Sequence, residues 1–172
     1  VSDRWGPLYE GISRCNATLR VLAKSEDASL TAADKTRITA EARFLRGHYY
    51  FELKKSYNNV PYVDETLTSD EAIKVPNTSD IWPNIEADFQ YAFDNLPETQ
   101  SAVGRANKWA AAAYLGKAYL FEKKWQQAKT MFDQVISSGK TSGGAAYGLV
   151  DNYAQLFNAE FDNNKETIFA VQ

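Results

Sequence analysis

With 172 residues, 44% hydrophobic and 24% charged, the chain has the makeup of a globular protein, long enough for one domain with a real core. A net charge of −3 and the lack of a basic stripe remove any electrostatic case for nucleic acid. No apolar run nears the roughly 18 residues of a membrane span. Cys15 is the only cysteine, which excludes an internal disulfide and a cysteine-based zinc site. Its helical spacing among apolar neighbours reads as a small buried hydrophobe. The opening Val-Ser-Asp-Arg is neither an initiating Met nor a basic start leading into an apolar run, so we expect a mature or excised piece without a signal peptide.

The first element is an amphipathic helix over 2–24. Trp5, Leu8, Tyr9, Ile12, Cys15, Leu19 and Leu22 recur at steps of three and four, with Arg4, Glu10, Arg14 and Arg20 elsewhere on the wheel. Ser25-Glu-Asp breaks the pattern. Thr31-Ala-Ala-Asp34 matches a capping box that opens a second helix, running to about Lys55. Ile38, Ala42, Leu45, Tyr49 and Leu53 form one stripe there, and Phe44, His48 and Phe51 a second. Apolar over that much of its circumference, the helix is expected to pack on two sides.

Periodicity then stops. Asn58-Asn59, Pro61 and Pro76 punctuate a loop over 56–79, a length that is uncommon inside a compact domain and is usually functional or packed down. Asp80 can cap a third helix, with Pro83 tolerated in its first turn. Ile81, Ile85, Phe89, Ala92 and Leu96 make its core face, and Pro97 stops it. Asn107 caps a fourth helix. Lys123-Lys124 marks a tight turn into a fifth, from Trp125 to Ser137, with Gly139 as a left-handed stop. After a Gly-rich stretch, a short helix is expected around Tyr153–Phe157, and Thr167-Ile-Phe-Ala-Val-Gln172 reads as a strand.

The fourth and fifth helices have the residue types and spacings of a tetratricopeptide (TPR) pair over 107–139. Gly116 and Ala128 are small enough for two antiparallel helices to approach, while Leu115, Tyr119 and Phe132 fill the seam. The second and third helices read as a degenerate pair over 31–97, its turn replaced by the long loop, with Phe89, Ala92 and Pro97 at the matching positions. Two such units leave apolar surface that other segments must cover. The expected fold is all-α: TPR-like hairpins joined by long loops, treated as one domain over 1–172 that is a fragment of a larger protein.

No catalytic constellation emerges. There is one His and no nucleophile signature, and no motif singles out a carboxylate pair. One His, one Cys and no calcium loop give metal binding no support, and no cofactor is implied. His48 reads as a core residue, and Glu41, Arg43 and Arg46 as ion-pair partners of neighbouring helices. The aromatics, ten Tyr, nine Phe and four Trp, suit sugar rings, whose C–H faces stack on them. Trp5, beside Asp3 and Arg4, and Tyr62, beside Asn59 and Asp64, have the polar company a glycan site needs. Trp82, Trp109 and Trp125, at helix starts, are expected in the core.

Several blocks together carry a resemblance. They are Tyr9-Glu-Gly-Ile12 to Asn16, the run Ala40-Glu-Ala-Arg-Phe-Leu-Arg-Gly-His-Tyr-Tyr-Phe-Glu-Leu53, then Tyr57-Asn-Asn-Val-Pro-Tyr-Val63. The helix pair from Asn107 follows, and finally Tyr153-Ala-Gln-Leu-Phe157 with Glu166-Thr-Ile-Phe-Ala-Val-Gln172. In this order they resemble the SusD/RagB family of nutrient-binding outer-membrane lipoproteins of Bacteroidota. Family members are several hundred residues long, begin with a lipoprotein signal whose cysteine is acylated, and have a large C-terminal part; Cys15 has no lipobox around it. The resemblance implies a SusD-like helical scaffold without catalysis, belonging to a surface-exposed lipoprotein. Its implied partners are a glycan or other nutrient and a TonB-dependent, SusC-like transporter, which this portion would help to dock. Two other readings stay open on sequence: a free-standing TPR adaptor holding a peptide in its groove, and an α-helical glycan-active enzyme.

Overall fold

The computed structural model describes residues 2–170. Among them there are six α-helices: α1 (Ser2–Lys24), α2 (Ala32–Tyr57), α3 (Ser69–Ala72), α4 (Trp82–Asn95), α5 (Lys108–Phe121) and α6 (Trp125–Ser138). Two 3₁₀ turns, Tyr153–Phe157 and Ala159–Phe161, follow. No β-strand forms among the described residues, and the one β-bridge joins Lys140 to Ala146. The all-α expectation holds. The terminal strand does not form over 167–170, where no neighbouring strand offers a ladder; Val171 and Gln172 lie outside the described residues. Where the sequence reading treats the chain as one domain, its contacts divide it into two compact units, 1–92 and 93–172.

In the first unit, α1 and α2 form an antiparallel hairpin. Arg4, Gly11 and Asn16 of α1 meet Glu52, Tyr49 and Arg46 of α2, so one helix ascends as the other descends. Gly11 is required there, since a Cβ would lie 2.4 Å from the Tyr49 ring. The opposite side of α2 meets α4, where a Cβ on Gly47 would sit 3.0 Å from the Phe89 ring. This is the two-sided packing its wide apolar arc predicts. Phe44, Tyr50, Phe51, Ile85, Phe89 and Ile12 are fully buried between the three helices.

Local chemistry sets the helix ends. The Thr31 hydroxyl accepts from the Asp34 amide at 3.1 Å, and donates to the Asp34 carboxylate. The reciprocal box predicted there instead forms at α3, where Thr68 and Glu71 each accept from the other's backbone. Asp80 accepts from the Trp82 amide at 3.3 Å as α4 begins.

In the second unit, α5 and α6 pack through the predicted seam. Gly116 lies under Phe132, whose ring a Cβ would meet at 2.7 Å. Leu115 and Ala128 are buried. Lys123 takes φ 62° in the turn. Asn107 is buried, accepts from the Ala110 amide, and donates to the carbonyls of Glu98 and Lys140. Gly139 departs from expectation. Its φ is −64°, so it is no left-handed stop; it is small because the Tyr147 ring comes within 2.6 Å of where a Cβ would be. Trp109 is buried as expected and Trp82 half-buried, but Trp125 is 60% exposed, since the first residue of α6 reaches past the seam.

Candidate glycan-binding groove

The long connection between α2 and α4 is not a free loop. From Val60 to Glu65 it runs without helical structure beside α1 and α2, held by side chains where a strand would use a neighbouring backbone. The Tyr9 hydroxyl donates to the Pro61 carbonyl at 2.6 Å, and the Asn16 amide to the Val63 carbonyl at 2.9 Å. Tyr50 uses its hydroxyl twice on Val63, donating to the carbonyl and accepting from the amide at 2.7 Å. Burial pushes the Tyr9 and Tyr50 phenols well above their ordinary range, so both stay protonated and keep donating.

Beneath this segment lies a buried charge network. Asp88 of α4, 1% exposed, receives two bonds from Arg46, at 2.7 and 2.8 Å, and one from Arg43 at 2.8 Å. Arg46 also donates to Asn16 at 3.0 Å and to the Glu65 carboxylate. Burial disfavours the Arg46 charge, yet the bonds and charge of Asp88 outweigh it and hold the guanidinium above its usual pKa. The expected ion pairs of Arg43 and Arg46 with a neighbouring helix are therefore present, whereas Glu41 pairs with Arg37 on its own helix.

Pinned in this way, the segment 61–75 forms one wall of a groove of about 1110 Å³, and α1 forms the other. Trp5 and Tyr9 stand at one end, their ring centroids 4.9 Å apart, with Tyr57 edge-on to Trp5 at 5.1 Å. Arg20 and Lys24 stand toward the other. Between them Ser13, Thr66 and Thr68 bring hydroxyl groups to an apolar floor that includes Ile12, Leu19 and Val63, while the buried Asn16 amide is taken up by the Val63 carbonyl and Arg46. An aromatic platform followed by polar groups over an apolar floor can hold a polyhydroxylated ligand. Glu65, the one carboxylate of the lining, faces Arg46 and stands opposite no second carboxylate in the groove. Among the described residues no cluster of side chains is suited to a metal ion.

Of the four ligand-contact candidates, Trp5 alone lines this groove. Alternation along the extended segment turns Pro61, Val63 and Glu65 toward it. Tyr62 instead packs on Tyr50 at 4.7 Å. Asp64 closes a turn by accepting from the amide and hydroxyl of Thr66. Asn59 is exposed and accepts from Lys54 at 3.2 Å. Tyr9 and Asn16 escaped the sequence reading as site residues because they share the spacing of the α1 core face, and Arg20 because it reads as one of the solvated charges elsewhere on the wheel. A periodicity argument cannot separate a core residue from one that floors a groove. His48 lies outside the groove, its ring 5.6 Å from Tyr49.

Residues 1–120 match the family model described as starch-binding, associating with the outer membrane. A SusD-like protein of Bacteroides ovatus is 28% identical over the whole of this chain and 33% of its own length. A laminarin-binding SusD-like protein superposes at a TM-score of 0.82 with 33% identity, covering 98% of this chain and 37% of that one. A structure with xylogluco-oligosaccharide superposes at 0.79 with 28% identity, over 99% of this chain and 35% of that one. The chain thus spans about a third of the length of the relatives it matches. No helix among the described residues is long and apolar enough to cross a membrane.

Proposed function

The chain belongs to the SusD-like family of starch-binding proteins that associate with the outer membrane, and from that premise we propose that it is the helical scaffold of a surface-exposed lipoprotein that captures a glycan for import. It binds its ligand without turning it over and hands it to a TonB-dependent, SusC-like transporter, against which the helical face docks. The α2–α4 pair (31–97) and the α5–α6 pair (107–139) serve as two TPR-like units of this scaffold. Relatives that bind laminarin or carry xylogluco-oligosaccharide support a glycan as the ligand class.

The observation that carries a contribution from this chain is the groove along α1, with Trp5 and Tyr9 as its stacking platform. Tyr62, Asn59 and Asp64 support it from behind by fixing the path of the 58–66 segment. The test is calorimetry of the complete polypeptide that carries this chain, against neutral and charged oligosaccharides, with reducing-end release measured in parallel. We expect saturable binding, at least tenfold weaker in Trp5→Ala, and no release of new reducing ends. Binding that ignores Trp5→Ala would place the ligand elsewhere, and turnover would make the protein an enzyme. Co-purification with a TonB-dependent transporter tests the partnership.

A further inference from the structure

The groove is electrostatically one-sided. Its lining holds three charged side chains besides the neutral and apolar groups: Glu65, Arg20 and Lys24. The Glu65 charge is already matched, because its carboxylate receives Arg46. Arg20 and Lys24 have no such counter-charge. Elsewhere on the first two helices Arg4 pairs with Glu52, Arg14 with Glu10 and Arg37 with Asp34 and Glu41, but among the described residues no carboxylate lies within ion-pair distance of Arg20 or Lys24. They are four residues apart on α1, hence on one face and one turn apart. A favourable interaction with the helix C-terminus accounts for Lys24, which lies in the last turn. It leaves unexplained why Arg20, half-buried and further back along the same face, also points into the groove unpaired.

The distance between the two ends matters as well. Fifteen residues separate Trp5 from Arg20, which at a rise of about 1.5 Å per residue is roughly 22 Å along the helix. That length suits an oligosaccharide rather than a single sugar. Its rings would stack at the Trp5 end and its substituents would reach the cations at the other. Resting on the groove as the ligand site, we infer that the preferred ligand is an anionic oligosaccharide, carrying carboxylate or sulfate groups that Arg20 and Lys24 receive. An Arg guanidinium matches either anion with paired N–H donors, and a Lys ammonium adds a point charge.

The experiment uses the complete polypeptide and three probes of similar length: a hexameric oligogalacturonate, a sulfated carrageenan hexamer and laminarihexaose. We expect one of the anionic probes to bind at least tenfold tighter than laminarihexaose in low salt. That advantage should shrink as sodium chloride is raised and screening sets in. The Arg20→Gln/Lys24→Gln double variant should lose the advantage while keeping its thermal midpoint, and Lys24→Arg should retain it. The two anionic arms tell carboxylate from sulfate recognition. Laminarihexaose binding as tightly as both anions, with Trp5→Ala still weakening it, would overturn the charge preference and leave the groove in place. Binding of any probe that is insensitive to Trp5→Ala, or no binding at all, would overturn the groove as the ligand site and this inference with it.

Discussion

At the scale of single residues, the two decisive groups are charges that helix periodicity would have placed in an apolar core. Asp88 lies between Ile85 and Phe89 on the buried face of α4, and Arg46 between Phe44 and Tyr50 on α2. Each is tolerable only because the other is there, with Arg43, Asn16 and Glu65 completing the shell. Removing one partner strands the rest, so Asp88→Asn should destabilise by about 3–5 kcal/mol in urea denaturation. A loss below about 1 kcal/mol would mean that water already compensates the guanidinium. Cys15 gives a second, independent check on the same packing. Burial, opposed in part by the nearby Arg46 charge, pushes its thiol up to about 11, and the side chain is 6% exposed. The native protein should therefore react with a disulfide reagent at pH 8 far more slowly than the urea-unfolded chain. Equal rates would show that the α1 face opens freely.

At the scale of elements, close approach of helices is set by glycines. Gly116→Leu should overpack the Phe132 ring and cost about 1–3 kcal/mol, and Gly11→Leu should do the same against Tyr49. Thermal unfolding measures both, and an unchanged midpoint for either variant would mean that its helix pair yields without strain. The Gly116 seam was legible because Leu115, Gly116, Ala128 and Phe132 stand at TPR spacings. The Gly11 seam was not, since its partner lies 38 positions away and no local pattern names it. The core face of α4 was also readable: Ile81, Ile85, Phe89, Ala92 and Leu96 are all buried. What escaped was the 58–66 path, because Tyr9, Asn16 and Tyr50 hold it through backbone carbonyls and the Val63 amide. Every residue offers a carbonyl and every residue but proline an amide, so sequence carries no trace of the pairing. The groove was invisible for that reason, and with it all of the candidate site except Trp5.

At the scale of the molecule, the second unit shows a surface unlike that of an ordinary monomer. Leu149, Tyr153 and Phe157 are 80%, 73% and 75% exposed, and Tyr153 and Phe157 stack edge-on at 5.2 Å. Phe161 follows at 39%. Single exposed apolar side chains need no explanation, but four within thirteen residues, two of them in ring contact, concentrate apolar surface of the kind that marks an interaction surface. The 3₁₀ turns beneath them bury nothing, so their conformation is held by local caps such as Asn152 and Asn158 rather than by a core. Such a segment gains stability from whatever covers it. The 172-residue chain on its own should therefore bind a hydrophobic dye and self-associate as its concentration rises. Tyr153→Ser/Phe157→Ser should reduce both without lowering the thermal midpoint, because neither ring belongs to the core of its unit. Sedimentation velocity over a hundredfold concentration range decides it. A dye-silent monomer throughout would show that this face asks for no partner.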